Sequence, residues 1–170
     1  MEQVNWDDVQ HFIKALNREV SGLNAGLPTE AQWENACRAG TTTAYSFGDT
    51  IMTDQANYNS KLLYAGGRIG GHHLHPMAVK SLLANPWGLY QMHGNVQEWC
   101  QDRLGEGYPK TLVVDPVGPS TVEIRVVRGG SWRCSGAHLR SAYRSSVMRS
   151  FRNDDLGFRL TVGCKNTAER

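Results

Sequence analysis

Two stretches near the C-terminus decide the fold: Arg125-Val126-Val127-Arg128-Gly129-Gly130-Ser131-Trp132 and Leu156-Gly157-Phe158-Arg159-Leu160. The first is a β-branched run that stops at a glycine pair, and the second alternates apolar and other residues like a half-buried strand. Residues 133–155 between them follow neither the helical nor the strand period. Such a segment is either a solvated loop or a recognition surface carried by a rigid scaffold.

Two helices are expected upstream of this region. Over residues 6–18 the apolar positions fall at i, i+3, i+4 and i+7: Val9, Phe12, Ile13 and Leu16. Asn5 is the expected N-cap of this helix. The second helix is expected to begin after Thr29, with Gln32 completing a capping box, and to end before Gly40. The rest of the sequence predicts short irregular strands and long loops, so the predicted fold class is α+β.

Length and composition exclude several classes of protein. The chain has 170 residues, of which 40% are hydrophobic and 20% charged, and its formal net charge is +2. We expect a single domain over residues 1–170. The nearly balanced charge predicts no nucleic-acid partner, and no apolar run reaches membrane-spanning length. Because the N-terminus lacks a signal-peptide pattern, the default expectation is a soluble cytoplasmic protein.

Cysteines and histidines give no strong metal motif. The cysteines occur singly, without a C-x-x-C pair, and are expected to be free structural thiols: Cys37, Cys100, Cys134 and Cys164. Three imidazoles lie close together in one loop, at His72, His73 and His75. They could bind zinc or copper. A solvated polar loop is the favoured interpretation, because adjacent histidines point apart and no carboxylate or thiol lies nearby in sequence.

Further motifs lie upstream of the two C-terminal stretches. They are residues 27–34 (LPTEAQWE), Ala39-Gly40 and residues 85–100 (NPWGLYQMHGNVQEWC). In this order, the motifs resemble the formylglycine-generating-enzyme family, also called the sulfatase-modifying-factor family, from about Val4 to Leu160. The resemblance implies a variant of the C-type lectin fold, with two N-terminal helices. It does not by itself imply the oxidase activity of the family.

The resemblance also points to a calcium site. Relatives bind calcium at the motif that contains Asn95, Val96 and Glu98. An Asn side chain, a backbone carbonyl and a carboxylate are oxygen ligands of the kind that calcium selects. These three residues are therefore the predicted calcium ligands. The alternative is that Asn95 and Glu98 only brace the turn.

Oxidase members of this family carry two cysteines just after the Gly-Gly-Ser-aromatic motif, where they hold copper(I). Here Cys134 occupies the first position, and Leu139 or a neighbour occupies the second. One thiolate cannot form a two-sulfur copper site, so we expect no copper and no formylglycine formation. The alternatives are a thiol- and metal-dependent oxidase that uses Cys134, and a structural accessory domain.

The irregular segment has a restricted set of residue types. Leaving out the regular framework, its interspersed positions are Arg133, Cys134, Ser135, Gly136, Ala137, His138, Ser145, Ser146, Val147, Ser150, Phe151, Asn153, Asp154 and Asp155. None is Lys, Gln, Glu, Met or Trp, the five types that codons ending in a pyrimidine cannot encode. Those types make up about a fifth of ordinary usage, so fourteen independent positions avoid them on the order of a few per cent of the time.

Asn codons that are diversified at their adenines would produce this set. The pattern resembles the variable proteins of diversity-generating retroelements, in which a reverse transcriptase rewrites a C-terminal segment carried on a lectin-like scaffold. The resemblance implies a non-catalytic protein that binds a protein or cell-surface ligand through the variable segment within residues 125–160. The alternative is an ordinary surface loop on the same fold.

The residues between the variable positions are expected to hold the segment in place. Five should point inward: Trp132, Leu139, Tyr143, Leu156 and Phe158. Three arginines are expected to pair with carboxylates: Arg140, Arg144 and Arg159.

Overall fold

In the computed structural model, which describes residues 2–105, 107, 118–119 and 122–163, two helices come first. Helix α1 spans Trp6–Glu19 and helix α2 spans Glu30–Arg38. The Asn5 side chain accepts the amide of Asp8, and the Asp8 carboxylate accepts the amide of Asn5. Thr29 and Gln32 form the same reciprocal pair at α2. Both predicted caps are therefore confirmed.

One four-stranded sheet follows, built from β1 (Gln97–Arg103), β2 (Ile124–Arg128), β3 (Ser145–Met148) and β4 (Leu156–Gly157). The strand order is β3-β2-β1-β4. β2 is antiparallel to both β1 and β3, whereas β4 runs parallel to β1. A short 3₁₀ helix, Gly136–Leu139, lies between β2 and β3. The irregular segment thus begins after β2, contains the edge strand β3, and ends where β4 pairs with β1.

The strand predicted over residues 156–160 is shorter than expected. Only Leu156 and Gly157 pair with β1. The chain then crosses to the loop before α2, where Gly26 and Thr161 exchange backbone hydrogen bonds of 2.9 and 2.8 Å. The backbone of the predicted strand therefore leaves β1 after Gly157 and pairs with the loop before α2 at Thr161.

Within the described ranges, the core consists of three groups of buried side chains. Helix α1 packs on the sheet through Trp6, Val9, Ile13, Leu27, Trp99, Val127 and Leu156. Helix α2 packs on it through Trp33, Cys37, Met92, Cys100 and Val126. The third group lies under the 3₁₀ helix and contains Tyr45, Ile51, Ala56, Tyr58 and Leu139.

One apolar position of α1 departs from the expected pattern. The Phe12 side chain is 43% exposed, and its ring meets the edge of the Phe158 ring at a centroid distance of 5.8 Å. Phe158 is therefore half-buried beneath a surface aromatic rather than fully inside. None of the helices in the described part of the chain is long and apolar enough to cross a membrane.

Candidate ligand-binding surface

A glycine pair starts the irregular segment by reversing the chain after β2. Gly129 and Gly130 have φ values of +91° and +67°, a region that glycine adopts without strain. A Cβ atom on Gly130 would lie 2.7 Å from Leu139 Cδ1, and one on Gly129 would lie 3.1 Å from the Trp33 ring. Both positions therefore need glycine for conformation and for space. Ser131 and Trp132 after the turn are still buried, and the chain first reaches the surface at Arg133.

The fourteen candidate positions differ in exposure. Arg133, Ser150 and Phe151 are exposed. Nine are half-buried: Cys134, Ser135, Ala137, His138, Ser145, Ser146, Val147, Asn153 and Asp154. Gly136 and Asp155 are buried. The expectation of display therefore needs correction at these last two positions.

Gly136 and Asp155 hold the segment from below. The Tyr45 hydroxyl donates to the Gly136 carbonyl at 2.7 Å, and a Cβ at Gly136 would stand 3.3 Å from that hydroxyl. The Asp155 carboxylate accepts the Ser131 hydroxyl at 2.7 Å and the Asn153 amide at 2.6 Å. The contact between Ser131 and Asp155 ties the two ends of the segment together, which fixes the frame around the exposed residues.

The two ends meet again at the surface. The Arg133 guanidinium donates to both carboxylate oxygens of Asp154, at 2.9 and 2.6 Å, and lies 4.3 Å above the Trp132 ring. His72 Nε2 lies 2.9 Å from the Trp132 carbonyl oxygen. The loop that contains His72 thus borders the segment. Sequence reasoning missed this neighbour because no local signal connects positions 60 residues apart.

A second part of the surface is formed by the 3₁₀ helix. Ser135 Oγ lies 2.9 Å from His138 Nδ1, and the His138 ring meets the Tyr143 ring at a centroid distance of 4.8 Å. These side chains contact each other and are also half-exposed, so a ligand could reach them without disturbing the core.

The third part is the outer edge of the sheet and the turn after it. Ser145, Ser146 and Val147 lie on β3, the edge strand, where Val147 also packs against the core beneath α1. Ion pairs from Arg149 to Asp7 and from Arg152 to Asp8 anchor the turn that carries Ser150 and Phe151, at 3.0 and 2.7 Å. The turn is thus attached to the first turn of α1.

The framework arginines mostly behave as expected. Arg144 binds Glu30 through two guanidinium nitrogens, and Arg159 binds Glu98 in the same way, with distances of 2.6 and 2.7 Å. Arg140 was expected to meet a carboxylate but meets none among the residues that the structure describes. Its Nε donates to the Ala137 carbonyl at 3.0 Å, because the 3₁₀ helix brings that carbonyl within reach.

Buried Arg128 links the segment to α2. Its guanidinium donates to the carbonyl oxygens of Ser141 and Tyr143 and to the Glu34 carboxylate. The side chain is fully buried, so these partners offset the cost of removing a charge from water. Arg128 therefore connects the backbone carbonyls that follow the 3₁₀ helix to the carboxylate of Glu34 on α2.

A neutral histidine lies directly beneath the 3₁₀ helix. His93 Nε2 accepts the Ser46 amide at 3.0 Å, so Nδ1 carries the proton and donates to the Leu139 carbonyl at 2.7 Å. Burial lowers the pKa of His93 to about 4, against a smaller opposing effect of the Leu139 carbonyl. The imidazole is therefore neutral at ordinary pH and joins the loop at Ser46 to the irregular segment.

Known proteins resemble this chain in sequence and in fold. The profile of the sulfatase-modifying factor enzyme 1-like domain matches residues 1–163. The chain belongs to this family. Formylglycine-generating enzyme from Streptomyces coelicolor is 34% identical over 175 residues, covering 98% of this chain and 52% of the relative. Serine/threonine-protein kinase pkn1 from Chlamydia caviae is 37% identical over 149 residues, covering 85% of this chain and 22% of the kinase.

The chain therefore spans about half, or less, of the length of these two relatives. Among solved structures, Treponema denticola variable protein 1 superposes with a TM-score of 0.76 at 25% identity, covering 94% of this chain and 69% of that one. PvdO from Pseudomonas aeruginosa superposes with a TM-score of 0.80 at 25% identity, covering 95% and 60%. The predicted α+β fold of the formylglycine-generating-enzyme, C-type-lectin-like type is confirmed.

The thiols of this family member differ in environment. Cys134 is half-buried, with Sγ 3.3 Å from Ser131 Oγ, and Leu139 five positions later is fully buried. Burial raises the pKa of Cys37 to about 12 and also raises the pKa of Cys100 well above its ordinary value, so both thiols stay protonated. Cys164 lies outside the described residues. Within the described ranges, no three His, Cys, Asp or Glu side chains are grouped so that they could hold a metal.

The predicted calcium ligands have protein partners. Asn95 Oδ1 accepts the amide of Met77 at 2.7 Å and the side-chain amide of Asn57 at 3.2 Å. Glu98 accepts the Trp33 indole N–H at 2.7 Å in addition to both donors of Arg159. A carboxylate that is bound to a guanidinium does not fit a calcium site as a ligand, since the two cations repel. These contacts favour the bracing interpretation, and calcium binding through Asn95, Val96 and Glu98 stays a prediction.

Proposed function

We propose that this chain is a non-catalytic ligand-binding module, and that its irregular segment has been rewritten by a diversity-generating retroelement. The observation that carries the proposal is that the positions with the restricted set of residue types are, for the most part, also the positions that reach the surface. The fourteen positions avoid all five residue types that pyrimidine-ending codons cannot encode, and all but Gly136 and Asp155 reach the surface. The likeness to Treponema denticola variable protein 1 supports it.

The chemistry of the surface suits recognition of a protein or of a cell surface. Arg133 and Asp154 offer opposite charges, His138 offers a ring nitrogen, and Phe151 offers an aromatic face that is 45% exposed. Small serines between them make adaptable hydrogen bonds, as in antibody loops. Arg133 and Asp154 satisfy each other in the free protein, so a ligand that inserts its own charge must exchange one ion pair for another.

The proposal predicts a template in the DNA near the gene. A second copy of the codons for residues 125–160 should lie close to a reverse-transcriptase gene. The two copies should differ almost wholly at adenines of the template, with Asn-type codons opposite the candidate positions. Sequencing of the locus tests this. Differences spread over all four bases, or a locus without such a copy, would refute the retroelement origin.

Formylglycine formation is the second candidate function. The formylglycine-generating enzyme of Streptomyces coelicolor is 34% identical to this chain, and Cys134 is present. Two thiolates are needed to hold copper(I) between them. At the second position this chain has the apolar, fully buried side chain of Leu139. The thiols of Cys37 and Cys100 are buried in a different core group.

We therefore expect no aldehyde when the protein is incubated with a cysteine-containing sulfatase-type peptide, copper(I), reductant and oxygen. Mass spectrometry of the peptide is the measurement. Cys134→Ala is the matched variant, because it removes the thiol from a half-buried position with little change in packing. Turnover in the unmodified protein that disappears in Cys134→Ala would establish the oxidase instead.

A further inference from the structure

A closed loop at residues 60–70 lies beside the irregular segment. The Ser60 hydroxyl accepts the amide of Gly70 and donates to its carbonyl, both at 3.0 Å, so the two ends of the loop are joined. Ser60 itself is buried. Compact surface loops whose ends meet in this way frequently carry a function of their own. Neither the proposed display function nor the candidate metal sites use the 60–70 loop.

The middle of the 60–70 loop is a tight turn. The Gly67 amide donates to the Tyr64 carbonyl at 2.9 Å. Between them, Ala65 and Gly66 have φ values of +48° and +75°. Two successive residues with positive φ are the pattern of the two-residue turns that join hairpin arms. The turn and the contact at Ser60 therefore hold the loop as a defined projection.

This projection exposes large apolar side chains. Leu62 is 51% exposed, Leu63 61% and Ile69 70%. Together with Tyr64, they are four of the fourteen large hydrophobic side chains that are exposed in the described part of the chain. Apolar side chains that are exposed singly are ordinary, whereas a cluster of them marks a site of interaction with a protein or a membrane.

The charges of the 60–70 loop have one sign. Lys61 and Arg68 flank the apolar residues, and both are exposed. The sequence contains no Asp or Glu from Gln55 to Gln97. The loop therefore presents apolar side chains between two cations, and it complements a surface that is negatively charged.

The composition of the loop favours a bilayer over a protein as its partner. Protein interfaces are depleted in Lys, and leucine is under-represented among the residues that dominate their binding energy. Aliphatic side chains accompanied by Lys and Arg are instead the combination that enters the interfacial layer of an anionic membrane. A tyrosine, here Tyr64, suits the level of the headgroups because its ring is apolar and its hydroxyl is polar.

We propose that the 60–70 loop docks on an anionic lipid bilayer. Leu62, Leu63 and Ile69 enter the interfacial layer, and Lys61 and Arg68 meet the lipid phosphates. The proposal goes beyond ligand display and does not depend on it.

Docking of the loop also places the irregular segment close to the membrane. The Asn59 amide at the base of the loop donates to the Cys134 carbonyl at 2.9 Å. At the turn, the Tyr64 ring centroid lies 5.7 Å from the guanidinium carbon of Arg140. The loop and the segment therefore approach the bilayer together.

Sedimentation with lipid vesicles tests the proposal. We expect the protein to sediment with vesicles made of equal parts of phosphatidylglycerol and phosphatidylcholine. Vesicles of phosphatidylcholine alone should bind it at least about tenfold more weakly, because they lack the charge that attracts the two cations. No sedimentation with the anionic vesicles would overturn the proposal and would leave a protein as the partner of the loop. Equal binding to both kinds of vesicle would overturn it as well.

Substitutions of apolar residues locate the contact. Leu63→Ser combined with Ile69→Ser should weaken binding to the anionic vesicles by at least about tenfold. Leu83→Ser is the matched control, because Leu83 is 62% exposed and lies outside the loop. Phe151→Ala, in the irregular segment, separates lipid docking from ligand display. Both controls should bind like the unmodified protein, and an equal loss in either would contradict the assignment to the loop.

Substitutions of the cations test the electrostatic part. Lys61→Gln combined with Arg68→Gln should lower binding to the anionic vesicles to the level seen with phosphatidylcholine alone. Lys14→Gln combined with Arg18→Gln removes the same two charges from exposed positions of α1 and should leave binding unchanged. If the two pairs lose affinity equally, the attraction comes from the net charge of the protein, and the assignment to the loop is wrong.

Discussion

Replacing Trp132 by alanine is expected to lower the free energy of unfolding by about 3–5 kcal/mol, as truncation of a buried aromatic does. The Trp132 side chain is only 8% exposed, and its backbone amide donates to the Asn95 carbonyl at 3.0 Å. The ring also supports the Arg133 guanidinium. Urea denaturation measures the loss. Leu139→Ala, at a position with no exposed surface, should cost about 2–5 kcal/mol by the same mechanism.

The control is simultaneous replacement of five displayed residues by alanine: Arg133, Ser135, His138, Ser145 and Phe151. Each change at a surface position should alter stability by no more than about 0.5 kcal/mol, so their combined effect should stay below that of Trp132→Ala. Phe158→Ala should cost less than Trp132→Ala, because the ring is only half-buried. Equal losses in the displayed and framework sets would mean that the segment is core rather than a binding surface.

Acidification is expected to weaken the fold through His93. In the unfolded chain this imidazole titrates near 6.5, whereas in the folded protein burial holds its pKa at about 4. Between these values the unfolded state binds a proton that the folded state does not. The stability contributed by neutral His93 is therefore fully present above pH 6.5 and is lost as the pH falls towards 4. The difference in pKa corresponds to about 3 kcal/mol.

The reason is geometric as well as electrostatic. A proton on Nε2 would face the Ser46 amide, and two donors would then point at each other. Asp102 acts in the opposite direction: its pKa is raised to about 6, so it takes up a proton in the folded state first and gains stability on acidification. The contribution of His93 must therefore be separated from that of Asp102 by substitution.

His93→Gln removes the titrating group and keeps a side chain that can both accept and donate. Urea denaturation of this variant and of the unmodified protein, at several pH values from 7.5 to 4, gives the difference between their unfolding free energies. That difference should shrink by about 3 kcal/mol as the pH falls. Asp102→Asn is the control, and it should steepen the acid loss. A difference that is constant with pH would contradict the assignment of the effect to His93.

Several features could be predicted from the sequence because their causes are local. The caps at Asn5 and Thr29 depend on residues three positions apart, and a side chain reaches that far along one helical turn. The turn at Gly129 and Gly130 follows a β-branched run directly. The restricted set of residue types in the irregular segment can be recognised from the amino-acid sequence alone.

Contacts between distant residues could not be predicted in this way. Asp155 belongs by residue type to the displayed set, yet it is buried, and its carboxylate accepts the hydroxyl of Ser131 from 24 positions away. Gly136 is buried because Tyr45 reaches its carbonyl from 91 positions away. Phe158 was expected inside and is half-covered by Phe12. In each case the partner comes from another element of the fold.

The sequence by itself determined the family, the two helices with their caps and the limits of the irregular segment, since each depends on neighbouring residues or on an ordered set of motifs. Only the tertiary structure decided which candidate residues face solvent and that His72 borders Trp132. The physical reason is that burial and ion pairing depend on which elements meet in space. That meeting depends on the packing of α1 and α2 against a sheet whose strands are not in chain order.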